Sequence, residues 1–186
     1  MAQQFKELNS KHIDFIQDQH VFFIGTADSD SFVNVSPKGM DSFRVLGNSK
    51  VAWLNLTGSG NETAAHVLEN NRMTIMFCSF SKQPLILRLY GKAKTVHRHD
   101  DEWLKLEALF PKYIGARQIF EIDLTLVQTS CGYAVPHYDL VSERPTLTKW
   151  ADKKGSNGVE EYWLEKNTES LNGKATSILK NIKNKG

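Results

Sequence analysis

Apolar and polar positions alternate with a period of two over much of the first 132 residues, in runs short enough to be strands. VFFIGTA (21–27) and FVNVS (32–36) flank the turn-forming cluster DSDS and predict a hairpin. FRVLG (43–47) and KVAWLNL (50–56) flank Asn48-Ser49 and predict a second. RMTIMFCSF (72–80) and LILRLYGKAKTV (85–96) read as strands divided by the polar SKQP. In RQIFEIDLTLVQTSCG (117–132), Phe120, Ile122, Leu124 and Leu126 alternate with Ile119, Glu121, Asp123 and Thr125, the pattern of a half-buried strand. Three stretches change to three- and four-residue spacing and predict helices: FKELNSKHIDFIQDQH (5–20), GNETAAHVLENN (60–71) with Asn61 as N-cap, and HDDEWLKLEALF (99–110) ahead of Pro111.

About six strands joined mostly by short turns require antiparallel pairing, since a parallel sheet needs a helix after nearly every strand. Closing such a sheet into a barrel removes its edges. The expected fold class is therefore mainly β: a six-stranded antiparallel barrel with peripheral helices. After Gly132 the composition shifts to proline-containing, strand-poor sequence with one short helix over VEEYWLEKNTESL. Residues 133–186 read as an extension wrapping the barrel or a partner, so 1–186 form a single domain with its core over about 15–132.

The composition narrows the function classes. A formal charge of +2, with lysines and arginines scattered among acids, gives no nucleic-acid footprint, and the basic end LKNIKNKG reads as a solvated tail. No apolar run approaches the ~18 residues of a spanning helix. Cys78 and Cys131 lie in apolar or mixed surroundings with no signal peptide ahead of them. They predict buried free thiols in a cytoplasmic protein.

Candidate chemistry is sparse. HRHD (97–100) lacks a Cys or Glu to complete a metal set, and Cys131 with His137 defines no nucleophile–base geometry. Nucleotide-loop, metalloprotease and nucleophile-elbow motifs are missing. Any enzymatic activity then falls to a cofactor. TGSGNETAAH (57–66) is the segment suited to hold one. Gly58 and Gly60 can aim backbone amides at one point, Ser59 and Thr63 carry hydroxyls, and a helix N-terminus follows. The same residues also make an ordinary strand-to-helix turn with a cap. Ser36 and Lys38, separated by Pro37, end a strand that can bring Lys38 towards Ser59. Arg88 interrupts an apolar strand and needs an anion or exposure.

VNVSPKG, KVAWLNLTGSGNETAAHVLENNRMTIMF and LILRLYGKAKTV, in this order, resemble the pyridoxamine 5′-phosphate oxidase-like flavoproteins of the FMN-binding split-barrel superfamily. CGYAVPHYD and LTKWADKKG resemble the C-terminal signature of one branch. The resemblance covers about residues 15–155. It implies a six-stranded split barrel, a homodimer, and FMN at each end of the dimer interface. Lys38 matches the family's strand-end lysine, and Gly58 to His66 match its phosphate loop and following helix. The implied cofactor-binding set is Ser36, Pro37, Lys38, Gly39, Leu54, Asn55, Gly58, Ser59, Gly60, Asn61, Thr63, Arg88 and Trp150. Backbone amides near Ser36 and Leu54 are expected at the ring's polar edge. Trp150 and Tyr133 either cover the partner's flavin or anchor the dimer.

GSGNET stands where the true oxidases carry a Ser-Arg-Lys clamp, so Lys38, aided by Arg72 or Arg88, is expected to supply the positive charge. The Arg-X-His substrate element is also missing, which argues against the family's eponymous substrate. The implied function is an FMN-dependent oxidoreductase of another small molecule. A flavin carrier or redox sensor, or a haem or deazaflavin protein with His66 or His137 as ligand, are the alternatives.

Overall fold

A computed structural model describes residues 2–182 and gathers all the strands into one antiparallel sheet. They are β1 (Gln3–Phe5), β2 (Phe22–Thr26), β3 (Asn34–Lys38), β4 (Phe43–Gly47), β5 (Lys50–Leu56), β6 (Arg72–Cys78), β7 (Leu85–His97) and β8 (Ala116–Cys131). The order is β3-β2-β6-β7-β8-β5-β4, with β1 added to β8. Both predicted hairpins form. Among the described residues there are eight strands, the seven alternating runs plus β1, against about six in the expected barrel. β1 escapes the sequence pattern because three residues, pairing Phe5 with Val127, are too few to show alternation. β3 and β4 end the sheet unpaired with each other, so it curls around a core but stays open along that seam.

The alternation decides what fills the inside. Ile24, Trp53, Ile75, Phe77, Leu87, Leu89, Phe120 and Ile122 are buried together, and Trp53 stacks on Phe120 with centroids 5.0 Å apart. β7 and β8 run side by side along their length, with a register shift between Tyr90 and Gly91. A Cβ on Gly91 would lie 2.4 Å from the Asp123 carbonyl oxygen, so a side chain cannot fit where the strands bend together. A second cluster joins Ala52, Leu54, Val96 and Ile119 to Trp103, Leu106 and Phe110. Its helix, Trp103–Glu107, is much shorter than the predicted 99–110. Helices Ser10–Gln17 and Glu62–Glu69 fall within their predicted spans.

The extension is more helical than its composition indicates. Thr146–Lys166 is one helical stretch broken at Gly155, whose φ of 66° and ψ of 174° only glycine adopts readily. Its second half brings fully buried Trp163 back against the chain's own barrel. The Trp163 indole N–H donates to Thr57 Oγ1 at 2.8 Å, and the Arg98 guanidinium lies over the ring at 4.5 Å. His97 is buried against Asn181 (3.2 Å), and Arg98 donates to the carbonyl oxygens of Ala116 and Ile114, so HRHD is a structural joint. Cys78 is buried, but Cys131 is exposed, because β8 has left the sheet's covered region by its last residue. Among the described residues no helix is long and apolar enough to cross a membrane. Of the expected solvated tail LKNIKNKG, Leu179, Lys180 and Asn181 instead belong to the 3-10 helix Ile178–Asn181 with Asn181 buried, and KNKG (183–186) lies outside the described residues.

Candidate functional site

β5 ends by pinning the loop that follows it. The Thr57 amide and hydroxyl both donate to the Gly115 carbonyl oxygen at 2.8 Å, while Trp163 donates to the same hydroxyl. Beyond this anchor, Gly58–Asn61 borders a cavity of about 800 Å³ between the loop, the end of β3, and β5. Ser36, Pro37, Lys38, Gly39, Leu54, Asn55, Gly58, Ser59, Gly60, Asn61 and Thr63 all border it, so residues from the two predicted segments share one space. Lys38 and Ser59 reach it across the barrel, since β3 and β5 are not neighbours in the sheet.

The wall carries polar groups without protein partners. Asn61 occupies the N-cap position, yet its side chain does not cap the helix. Its Oδ1 lies 3.4 Å from the Asn55 side-chain amide, and its Nδ2 is buried without a partner. Ser36 Oγ is orphaned in the same way. Thr63 Oγ1 accepts from Asn34 Nδ2 at 3.2 Å, which ties the helix start to β3.

Two cations drawn out of water face this cavity, and a third, Lys166, sits exposed at its rim. The Lys38 ammonium lies 5.2 Å from the Trp53 ring centroid. Burial, and then repulsion from Arg117, push its pKa down to about 8. Arg117, on β8, is only 4% exposed. It donates from Nη1 to Asn167 Oδ1 at 2.7 Å and from Nη2 to Asn55 Oδ1 at 3.4 Å. Burial lowers its pKa to about 9, so it remains cationic at neutral pH. Among the described residues, no carboxylate forms a salt bridge with either cation. Glu62, at the cavity edge, instead accepts from the Leu171 amide at 3.0 Å. Buried charge without a counter-charge is costly, and an anion in the cavity would remove that cost. Orphaned donors beside two cations and a glycine loop fit a phosphate-bearing cofactor.

Several expected residues lie elsewhere. Arg88 points to the face opposite Leu87 and Leu89, donates to Ser130 Oγ at 3.0 Å, and does not border the cavity. Arg72 is exposed and held by Asn70. The Leu54 amide donates to the Ser42 carbonyl oxygen at 2.8 Å and is not free for a ring. Trp150 packs edge-on against Tyr162 and lines a second cavity of about 920 Å³, which shares Pro37–Met40 and Leu147 with the first. Tyr133 is exposed. Sequence reasoning missed Arg117, Asn167 and the segment Glu169–Leu171. The available signal was Arg117-Gln118, two adjacent polar residues at the start of the strand, ahead of its alternating stretch.

A model of the family "Pyridoxamine 5′-phosphate oxidase" matches residues 8–131, about two thirds of the chain. The pyridoxamine 5′-phosphate oxidase family protein ustO of Aspergillus flavus is 35% identical over 187 residues, covering 91% of this chain and 75% of that protein. Two solved structures share the fold. One is a Lactobacillus delbrueckii protein named as a candidate pyridoxamine 5′-phosphate oxidase (TM-score 0.55, 19% identity, 66% of this chain and 94% of that one). The other is a single-site variant of HupZ from group A Streptococcus (TM-score 0.53, 17% identity, 66% and 98%). The matched stretch contains β2–β8 of the open antiparallel sheet, the glycine loop, Lys38 and Arg117. The chain belongs to the pyridoxamine 5′-phosphate oxidase family.

Proposed function

We propose that this protein binds FMN and serves as an oxidoreductase for a small molecule other than pyridoxine phosphate. The observation that carries the reading is the pair of cations, buried Arg117 and half-buried Lys38, facing one cavity with no carboxylate in a salt bridge to either among the described residues. Arg117, Lys38 and the Gly58–Gly60 amides would hold the phosphate, with Ser59 and Asn61 adding neutral donors. Arg117 thus takes the place assigned to Arg72 or Arg88 on sequence grounds. β3 and β5 would flank the ring. A bound flavin supplies hydride and single-electron transfer, chemistry that ordinary side chains lack. The protein's part is to bind, to orient and to exclude water, with Trp53 and Leu54 forming the dry wall.

The reading includes a cytoplasmic homodimer. Val35, 67% exposed on the outer face of β3, is an apolar surface that a second copy could cover. The haem alternative loses support. No histidine among the described residues borders the first cavity, and His66 lies in the core with Nδ1 3.1 Å from Thr26 Oγ1. A flavin carrier without turnover stays as the second reading, because no general acid or base stands out at the cavity wall.

The test is the visible spectrum of the purified protein after FMN loading, followed by aerobic oxidation of reduced pyridine nucleotides. Flavin bands with turnover support the oxidoreductase, and bands without turnover support the carrier. Failure to retain FMN contradicts both.

A further inference from the structure

The C-terminal extension reaches the centre of the candidate site through one side chain. Asn167 is fully buried just beyond the long helix. Its Oδ1 accepts from Arg117 Nη1 at 2.7 Å, and its Nδ2 donates to the Gly58 carbonyl oxygen at 3.2 Å. One amide therefore ties the buried cation to the glycine loop. The backbone around it is fixed independently: the Asn167 amide donates to the Trp163 carbonyl oxygen at 2.9 Å, and Thr176 Oγ1 donates to the Asn167 carbonyl oxygen.

The choice of an amide at this position has a physical consequence. An aspartate has nearly the same shape and would form the stronger bond to a guanidinium. It would also neutralise Arg117 inside the protein. With Asn167 and Asn55 as its acceptors, Arg117 is oriented and hydrogen-bonded while its charge stays uncompensated. Lys38 repels Arg117 here, while Tyr162 and Glu62 favour its charge without forming an ion pair, the Glu62 carboxylate accepting from the Leu171 amide. The fold thus bears an unneutralised buried charge that an incoming anion relieves.

We propose that Asn167 is a positioning residue that reserves the charge of Arg117 for the phosphate of the ligand, making the extension a determinant of phosphate specificity. The inference rests on the phosphate-site reading above and assigns the extension a part in it. In this role Asn167 does not touch the ligand. It acts through Arg117 and the Gly58 carbonyl, and its neutrality matters as much as its hydrogen bonds.

The test compares FMN with riboflavin, which lacks the phosphate, by flavin-fluorescence titration of Asn167→Asp and Asn167→Ala. Asn167→Asp should weaken FMN binding at least about 30-fold while changing riboflavin binding less than about 3-fold. Its ligand-free melting temperature should match or exceed that of the unaltered protein. Asn167→Ala keeps Arg117 charged, so its FMN affinity should fall less than that of Asn167→Asp. A purely structural role predicts the opposite order, because Asp loses only the bond to the Gly58 carbonyl whereas Ala loses that bond and the one to Arg117. An unchanged FMN-to-riboflavin ratio in Asn167→Asp, or Ala weaker than Asp, overturns the inference. If the unaltered protein does not prefer FMN to riboflavin, the underlying site assignment fails instead.

Discussion

Replacing Arg117 with methionine separates the needs of the fold from those of the site. The substitution removes a buried guanidinium and keeps a long apolar side chain in its place. In the ligand-free protein it breaks the bonds to Asn167 and Asn55, each worth about 0.5–1.5 kcal/mol or somewhat more with a charged donor. It also removes an uncompensated charge whose burial costs several kcal/mol. These effects oppose each other, so the ligand-free stability should change by less than about 2 kcal/mol. The bound state has no such compensation. Losing a charge-assisted bond to phosphate costs about 1.5–3 kcal/mol, which is about 10- to 150-fold in affinity. Urea unfolding with and without FMN measures both quantities. The expected variant unfolds near the normal midpoint but gains much less stability from added FMN. If Arg117→Met instead unfolds far earlier and keeps normal FMN affinity per folded molecule, Arg117 is a structural cation and the reasoning fails.

Two further outcomes follow from the same geometry. Lys38 has its pKa lowered from 10.5 to about 8, so between these values the unfolded chain binds more protons. Ligand-free stability should therefore rise with pH across that window, while FMN affinity falls above pH ~8 as the ammonium is lost. Calorimetry and fluorescence titration over pH 7–10 check the two signs, and parallel trends would contradict the assignment. Seven residues beyond Asn167, Lys174 occupies a socket formed by Asp28, Asp30 and Glu69, with Asp28 Oδ2 at 3.0 Å and Glu69 Oε2 at 2.8 Å. Burial alone would raise the Asp28 carboxyl, but hydrogen bonds from Ser31, Lys174 and Asp30 hold it below the ordinary carboxylate range. Lys174→Met should expose residues 169–176 to hydrogen exchange and leave β7 and β8 protected. Unchanged exchange would show that Trp163 and Asn167 hold the segment alone.

The parts legible in the sequence were those set by local chemistry. Period-two alternation places Leu87 and Leu89 inside, and the same alternation turns Arg88 outward, away from the cavity it was expected to serve. The turn residues around Gly58 and the run ending at Lys38 are local signals, and the fold brings both to one space. Arg117 and Asn167 were illegible for the opposite reason. Arg117 acquires its role only when β8 pairs with β5, setting Gln118 opposite Asn55, and when a residue fifty positions later returns to meet it. No spacing rule connects these positions. A polar asparagine in an extension of mixed composition also looks like any solvated side chain until Trp163 fixes the helix against Thr57.

The most direct test of the account is an equilibrium titration of the ligand-free protein with FMN and, in parallel, with riboflavin at neutral pH and low salt. A buried and a half-buried cation with a glycine loop around the phosphate predict saturable binding of FMN at least about 30-fold tighter than riboflavin, with the difference narrowing above pH ~8. Equal affinities for the two flavins, or binding of neither, would contradict the assignment of this cavity as a phosphate-anchored flavin site.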